Sequence, residues 1–221
     1  MREKIAALSP RTEFLVVIGL VYGNSLFRYC LSVFRNGFTP IIAWDNGVFI
    51  RLLVIEISVA LCLGLFLYFR GWRWVDLNIY PSIKATGIGI LIWFCAYLLC
   101  DIFYVLSVSI FSNSNLIRSI SFQGHIYPPL AFIVSIINPI FEEIFHLSFI
   151  IKSLEKHGAA FAIGISTLLR LLVHLYQGPL MAVSILPIGI LFAAYYWHSR
   201  QLWPILIAHG IFDFIGLLSM S

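Results

Sequence analysis

Residues 85–111 read ATGIGILIWFCAYLLCDIFYVLSVSIF, with Asp101 as the single charge, and this stretch decides the fold class. A hydrocarbon core about 30 Å thick is crossed by about 20 apolar helical residues, and this run is longer than that. Inside lipid every backbone N–H and C=O must find its partner within the protein, which leaves helices and closed barrels. Barrel strands alternate polar and apolar side chains over about ten residues, and this run does not. Further apolar runs lie near 14–34, 47–69, 130–151, 159–176, 179–197 and 202–220. The expected fold is therefore all-α, a polytopic transmembrane helical bundle. About seven spans are counted, or eight if one long run hides a turn.

Composition agrees. The 221 residues are 61% hydrophobic and 11% charged, with a mean hydropathy of +0.96. A soluble domain carries about 25% charged residues, whereas a lipid-facing surface has no use for them. Met1–Pro10 is polar and basic and the first apolar run is too long for a signal-peptide core, so no cleaved leader is expected. The net charge of +4 comes without a basic block interleaved with aromatics, which excludes a nucleic-acid partner from the expectation. The basic residues read as topology signals instead. With seven spans and a cytoplasmic N-terminus, Arg2, Lys4, Arg11, Arg70, Arg73, Lys84, Lys152, Lys156 and Arg200 fall inside, and Arg28, Arg35, Arg51 and Arg118 outside. That excess of cytoplasmic cations predicts the N-in orientation. Cys30, Cys62, Cys95 and Cys100 lie in or near apolar runs without CxxC spacing, so neither disulfides nor a zinc knuckle is expected.

No linker or repeat divides the chain, and one membrane domain over residues 1–221 is the simplest organisation. GWRWVDLNIYPS (71–82) mixes aromatics with charges, as an interfacial belt or short surface helix does. Ser112–Gln123 reads as a loop before a span opening at Pro128-Pro129. Glycine and proline accumulate in the C-terminal half, where small residues permit close helix approach and prolines kink or end helices.

The same half carries ionisable groups that do not belong in lipid. Each costs about 2.5–3.5 kcal/mol at mid-membrane by insertion scales, so such groups turn inward and mark function. Glu142 and Glu143 stand in INPIFEEIFHLSFI (137–150). Adjacent helical positions point about 100° apart, so one carboxylate can face a cavity while the other binds a neighbouring helix. His146 follows Glu143 at i+3, but a di-iron bundle needs two ExxH motifs and further glutamates, and the only other apolar-run glutamate is Glu56. Arg170 and His174 share one face of a later run, and His209 and Asp213 share a face of the last. Taken alone, a histidine at a helix end such as His174 is more often a hydrogen-bonded structural residue than a catalyst, and its weight comes from its company. Three spans thus supply carboxylates, a histidine, and a histidine with an aspartate. Such a set can activate a water and support an oxyanion. It can also hold a divalent metal such as zinc, although HExxH is absent. Hydrolysis within the membrane is the expected chemistry.

The order of these motifs resembles the CAAX prenyl protease and bacteriocin-processing (CPBP, or Abi) family of intramembrane endopeptidases, whose pattern is EExxxR, FxxxH and HxxxN or HxxxD. Here they read Glu142-Glu143-Ile-Phe-His-Leu147, Arg170-Leu-Leu-Val-His174 and His209-Gly-Ile-Phe-Asp213, within a stretch of about 128–216. LLRLLVHLYQGP (168–179) is also similar to a bacterial branch of the family. The resemblance implies that Glu142 is the general base, with Glu143 beside it, that His174 is its partner, and that His209 with Asp213 supports the oxyanion. It implies a peptide, lipidated or membrane-anchored protein substrate in the bilayer, without fixing a prenylated one. A plasma (inner) membrane location follows from the bacterial-type stretch. No cofactor is expected, since no spacing here resembles a dedicated zinc motif. Leu147 stands where the pattern has arginine and Arg170 where it has phenylalanine, so Arg170 is expected to supply the missing charge by pairing with Glu143. Two other readings remain open: a non-catalytic immunity or scaffold protein of this fold, and an ion-coupled transporter with buried Glu, His and Asp as a relay, against which the first half contributes only Glu56 and Asp101 and shows no inverted repeat.

Overall fold

The computed structural model describes residues 5, 7–36, 43–111, 121–122, 125–177 and 179–219. The reading of Ser112–Gln123 as a loop, and the topology assignments of Arg2, Lys4 and Arg118, therefore fall largely outside the described residues.

Local chemistry sets the helix starts. The first helix, α1 (Pro10–Asn36), opens on a proline whose missing N–H costs nothing at that position, and Ser9 Oγ accepts from Thr12 N at 3.1 Å. Helix α2 (Asn46–Phe69) is capped by Asp45, which accepts from Val48 N at 2.8 Å. After a 3₁₀ turn at Trp74–Leu77, the long α3 (Ile83–Phe111) begins with Ser82 Oγ accepting from Ala85 N at 3.0 Å. Helix α4 (Pro128–Glu143) continues through a π-helical segment, Ile144–Phe149, into α5 (Ile150–Leu154). Then come α6 (Ala159–His174), the short α7 (Pro179–Ser184), α8 (Leu186–Ser199) and α9 (Trp203–Leu218).

Six of these stretches are long and apolar enough to cross a membrane, with Pro128–His157 and Leu180–Ser199 each counting as one. The seventh, α9, has 16 residues, about 24 Å of helix, and is the short, inner member of the bundle. It packs against α3 and α4, while α6 packs against α8 and α1, and α2 against α4. Within the 71–82 stretch, read as an interfacial belt or a short surface helix, the regular structure is the 3₁₀ turn at Trp74–Leu77. Besides the helices, Ala43–Trp44 and Ser121–Phe122 form one two-residue parallel pairing.

Two glycines set how closely α9 lies. A methyl group at Gly89 of α3 would stand 2.6 Å from Pro204 O and 2.8 Å from Ile207 Cβ, and one at Gly210 of α9 would stand 2.8 Å from Ser135 O. The second approach has a local cause. Pro139 has no N–H to donate to Ser135 O four residues earlier, and Gly210 backs directly onto that carbonyl.

One end of the bundle is tied by polar contacts. Glu13 of α1 accepts from Arg70 Nε at 2.6 Å and from Trp72 Nε1 at 2.9 Å. Lys152 Nζ lies 4.7 Å over the Trp72 ring and 2.6 Å from Asp76 Oδ1, and Arg200 reaches Glu155 at 3.0 Å. This chain of contacts joins α1 and the α2–α3 connection to α5. The four cysteines are unpaired, as expected from their spacing.

Candidate active site

The site is built around a change of helical pitch. Directly after Glu142-Glu143 the backbone widens into the π segment, a distortion that is frequent at functional sites. Its displaced carbonyls are taken by side chains. His146 Nδ1 lies 3.0 Å from Glu142 O, and Ser166 Oγ of α6 donates to His146 O at 2.6 Å. His146 is thus turned onto its own backbone, with its Nε2 unpartnered and its ring edge-on to Tyr22 of α1 at 5.0 Å. It does not combine with Glu143 as an ExxH pair.

The two glutamates are separated in role by geometry. Glu143 is fully buried; its Oε2 accepts from Arg170 Nη2 at 2.5 Å and its Oε1 from His209 Nδ1 at 2.5 Å. Arg170 is itself buried and lies 5.7 Å from the Phe192 ring. The cation missing from position 147 is therefore supplied by Arg170, one helix further on, while Leu147 is fully buried in the apolar core with Phe192 and Tyr196. The adjacent carboxylate, Glu142, keeps 20% of its side chain exposed and its Oε2 has no hydrogen-bond partner. Arg170 Nη1 and His209 Nε2 each approach that oxygen to 3.9 Å, outside hydrogen-bonding range.

His209 bridges the two halves of the cluster. Its Nδ1–H donates to the Glu143 carboxylate, which leaves Nε2 directed toward Glu142 and toward Asp213 Oδ1 at 3.5 Å. Spacing alone suggests Asp213 as the group orienting the ring; in the fold Glu143 makes the tighter contact. Asp213 is held in turn by Asn138, whose Nδ2 donates to Oδ2 at 2.9 Å. His174 Nδ1 donates to Arg170 O at 2.7 Å, so its Nε2 is the acceptor-bearing atom of the neutral ring. The charges of Glu142 and His209 act on His174, though no hydrogen bond joins His174 to Glu142 among the described residues.

Sequence reasoning thus finds the three spans that meet, but misses contributors. Asn138 stands one turn before Glu142 and was legible as a polar residue in an apolar run. Glu56 of α2 is buried with an unpartnered Oε2, and the charges of Glu142, Asp213 and His209 act on it. Tyr22 is buried with its hydroxyl unpartnered, within the electrostatic reach of Arg170, Glu142 and Glu143, and an isolated tyrosine in the first span carries no sequence signal. Asp101 stays on the exposed face of α3.

Glu142, Glu143 and His209 offer ligand atoms within 4.8 Å of one another. Both Glu143 oxygens accept hydrogen bonds, from Arg170 and His209, and His209 Nδ1 is taken by Glu143, which leaves Glu142 Oε2 and His209 Nε2 as the two atoms not engaged within the trio. Chemically, the arrangement sets a partly exposed carboxylate with a free oxygen among the imidazoles of His174 and His209 and the apolar helices that carry them.

Residues 124–215 match the family model described as type II CAAX prenyl endopeptidase Rce1-like. No curated protein and no solved structure matches the chain. Over residues 124–215, which are less than half of its length, the chain is similar to the type II CAAX prenyl endopeptidase Rce1-like family, in line with the resemblance of its three motifs.

Proposed function

We propose that this protein is an intramembrane endopeptidase that hydrolyses a peptide bond with a water activated by Glu142 and His174, its catalytic core lying at about 128–216. The observation that carries this reading is the Glu142 carboxylate: buried at Oε2, unpartnered, and beside a fully buried glutamate whose oxygens are both occupied. A group kept free at such cost is suited to take a proton. In this reading Glu142 accepts the proton of the attacking water, with His174 Nε2 as the second acceptor holding that water. His209 Nε2–H donates to the carbonyl oxygen as it gains charge. Glu143, with Arg170 behind it, fixes the His209 ring, and the Asn138–Asp213 pair lines the other side. The reaction so written needs no metal, and the engagement of Glu143 and His209 with each other supports that choice.

The substrate in this reading is a lipidated or membrane-anchored peptide entering from the bilayer, and the membrane is the plasma membrane with the N-terminus inside. A non-catalytic member of the same fold is the competing reading, favoured by the departures from the family pattern at 147 and 170. Proteomics of membrane-anchored peptides and released fragments in cells carrying wild type or Glu142→Ala distinguishes the two. Fragments that vanish in the variant, with the protein still folded in the membrane, establish the protease and name its substrate. Identical profiles would leave the non-catalytic reading.

A further inference from the structure

Among the described residues, four carboxylates gather about His209: Glu142, Glu143 and Asp213 lie against its ring, and Glu56 lies within reach of its charge and of those of Glu142 and Asp213. Against them stand Arg170 and, when both of its ring nitrogens carry protons, His209. Four negative and two positive charges leave an excess of two negatives if every carboxylate is ionised. A low-dielectric interior does not tolerate that excess; it is relieved by protons. The Glu143 carboxylate is already matched by two donors and Asp213 by the Asn138 amide. Glu56 and Glu142 are the two that retain a buried oxygen without a partner, Oε2 in each. They come from helices packed together, α2 and α4. Glu56 lies outside residues 124–215, on an element to which the matched domain assigns nothing.

We infer that Glu56 is a positioning residue of the site, a neutral carboxylic acid whose proton is shared toward Glu142 Oε2 through one bridging water. The Glu56 O–H donates to the water, the water donates to the Glu142 carboxylate, and Glu142 stays ionised while the cluster carries one negative charge fewer. Two unpartnered buried oxygens are thereby satisfied by one water, as is usual for buried polar groups too far apart to touch. Besides Glu142, the titratable groups whose charges reach Glu56 are Asp213, His209 and Tyr176. The inference rests on the proposed role of Glu142 only for its catalytic consequence; the shared proton stands independently of it.

The test is infrared difference spectroscopy on the purified full chain in detergent, across a pH titration, reading the C=O stretch of protonated carboxyl groups. The wild type is expected to show such a band at neutral pH, absent in Glu56→Gln and shifted in frequency in Glu142→Gln. A spectrum unchanged by Glu56→Gln, or a Glu56 band unmoved by Glu142→Gln, overturns the inference. Thermal unfolding of each variant checks that it is folded, and the near-isosteric glutamine keeps the side-chain volume. Fragment release in cells supplies the second readout. Glu56→Gln, which keeps a donor toward the water, is expected to stay close to wild type, and Glu56→Leu to fall about tenfold, the rate equivalent of one lost hydrogen bond. Equal release by wild type and Glu56→Leu would also overturn the positioning role. If wild type releases no fragment, the protease reading fails while the infrared result still decides whether Glu56 and Glu142 share a proton.

Discussion

Arg170 and Glu143, 27 residues apart and on different spans, meet in a buried pair at 2.5 Å, with side chains 3% and 0% exposed. Removing one partner of such a pair leaves an uncompensated charge in a medium that cannot solvate it, which typically costs about 3–5 kcal/mol. Arg170→Leu is expected to destabilise the protein by that order and to free the His209 ring, measured as a loss of thermal stability in detergent together with loss of cleavage. The reversed pair, Glu143→Arg with Arg170→Glu, restores the charge match without the donor to His209. It should recover part of the stability and none of the activity.

Glu142 and Glu143 are neighbours with opposite expected phenotypes. Glu142 has an unpartnered oxygen and some exposure, so Glu142→Gln should leave thermal unfolding close to wild type while abolishing fragment release. Glu143→Gln breaks an ionic network with Arg170 and His209. It should lower the unfolding temperature markedly, in line with the several kcal/mol of a broken buried pair. Parallel thermal melts of the two variants check this, and equal destabilisation by both would contradict the division of roles.

Gly210 has its open face 2.8 Å from Ser135 O and Gly89 has its own 2.6 Å from Pro204 O. Both contacts are with backbone, which cannot swing aside as a flexible side chain can. Gly210→Ala and Gly89→Ala are each expected to push α9 outward at a cost of about 1–3 kcal/mol, typical of overpacking. Gly210→Ala displaces His209 and Asp213 from Glu143 and Asn138 and should lose activity more than stability. Gly64→Ala, which meets nothing within 4 Å, is the control and should be neutral in both thermal melts and cleavage.

At the polar end of the bundle, the Asp76 carboxyl is held below its ordinary range by the hydrogen bond from Lys152, with help from Arg73 N at 2.7 Å. A carboxylate with a lowered folded-state value adds stability that is present above its unfolded value and lost as pH falls through the folded one. Asp76→Asn should therefore reduce stability at neutral pH and converge with wild type in acid. The pair is partly exposed, 39% at Lys152 and 28% at Asp76, which holds the difference below about 1 kcal/mol. Unfolding temperature measured against pH for the two proteins checks both sign and window.

Much of this was legible in the sequence because lipid imposes its demands locally. A span must be long, apolar and hydrogen-bonded within itself, so the runs at 47–69 and 85–111 announce α2 and α3 directly. The seventh run was legible as a helix, but its position as a short inner member depends on Gly89 and Gly210, whose partners lie on other spans. Likewise the i,i+4 spacings put Arg170 with His174 and His209 with Asp213, and the empty charge at Leu147 pointed to Arg170 as the partner of Glu143, where it lies.

Only the tertiary structure decided which glutamate is free and which is bound, that His146 serves the π segment, that Glu143 makes the tighter hold on His209, and that Glu56 and Tyr22 border the site. Helices α2 and α3 are apolar on all sides apart from isolated charges, of which Glu56 turns inward and Asp101 outward, so no sequence pattern says which face is buried. A change from α to π pitch rotates every later side chain without leaving a mark in residue type. Contacts between spans depend on helix rotation and close approach, and these are set by packing across the bundle, whereas the spans themselves are set by the solvent each one must cross.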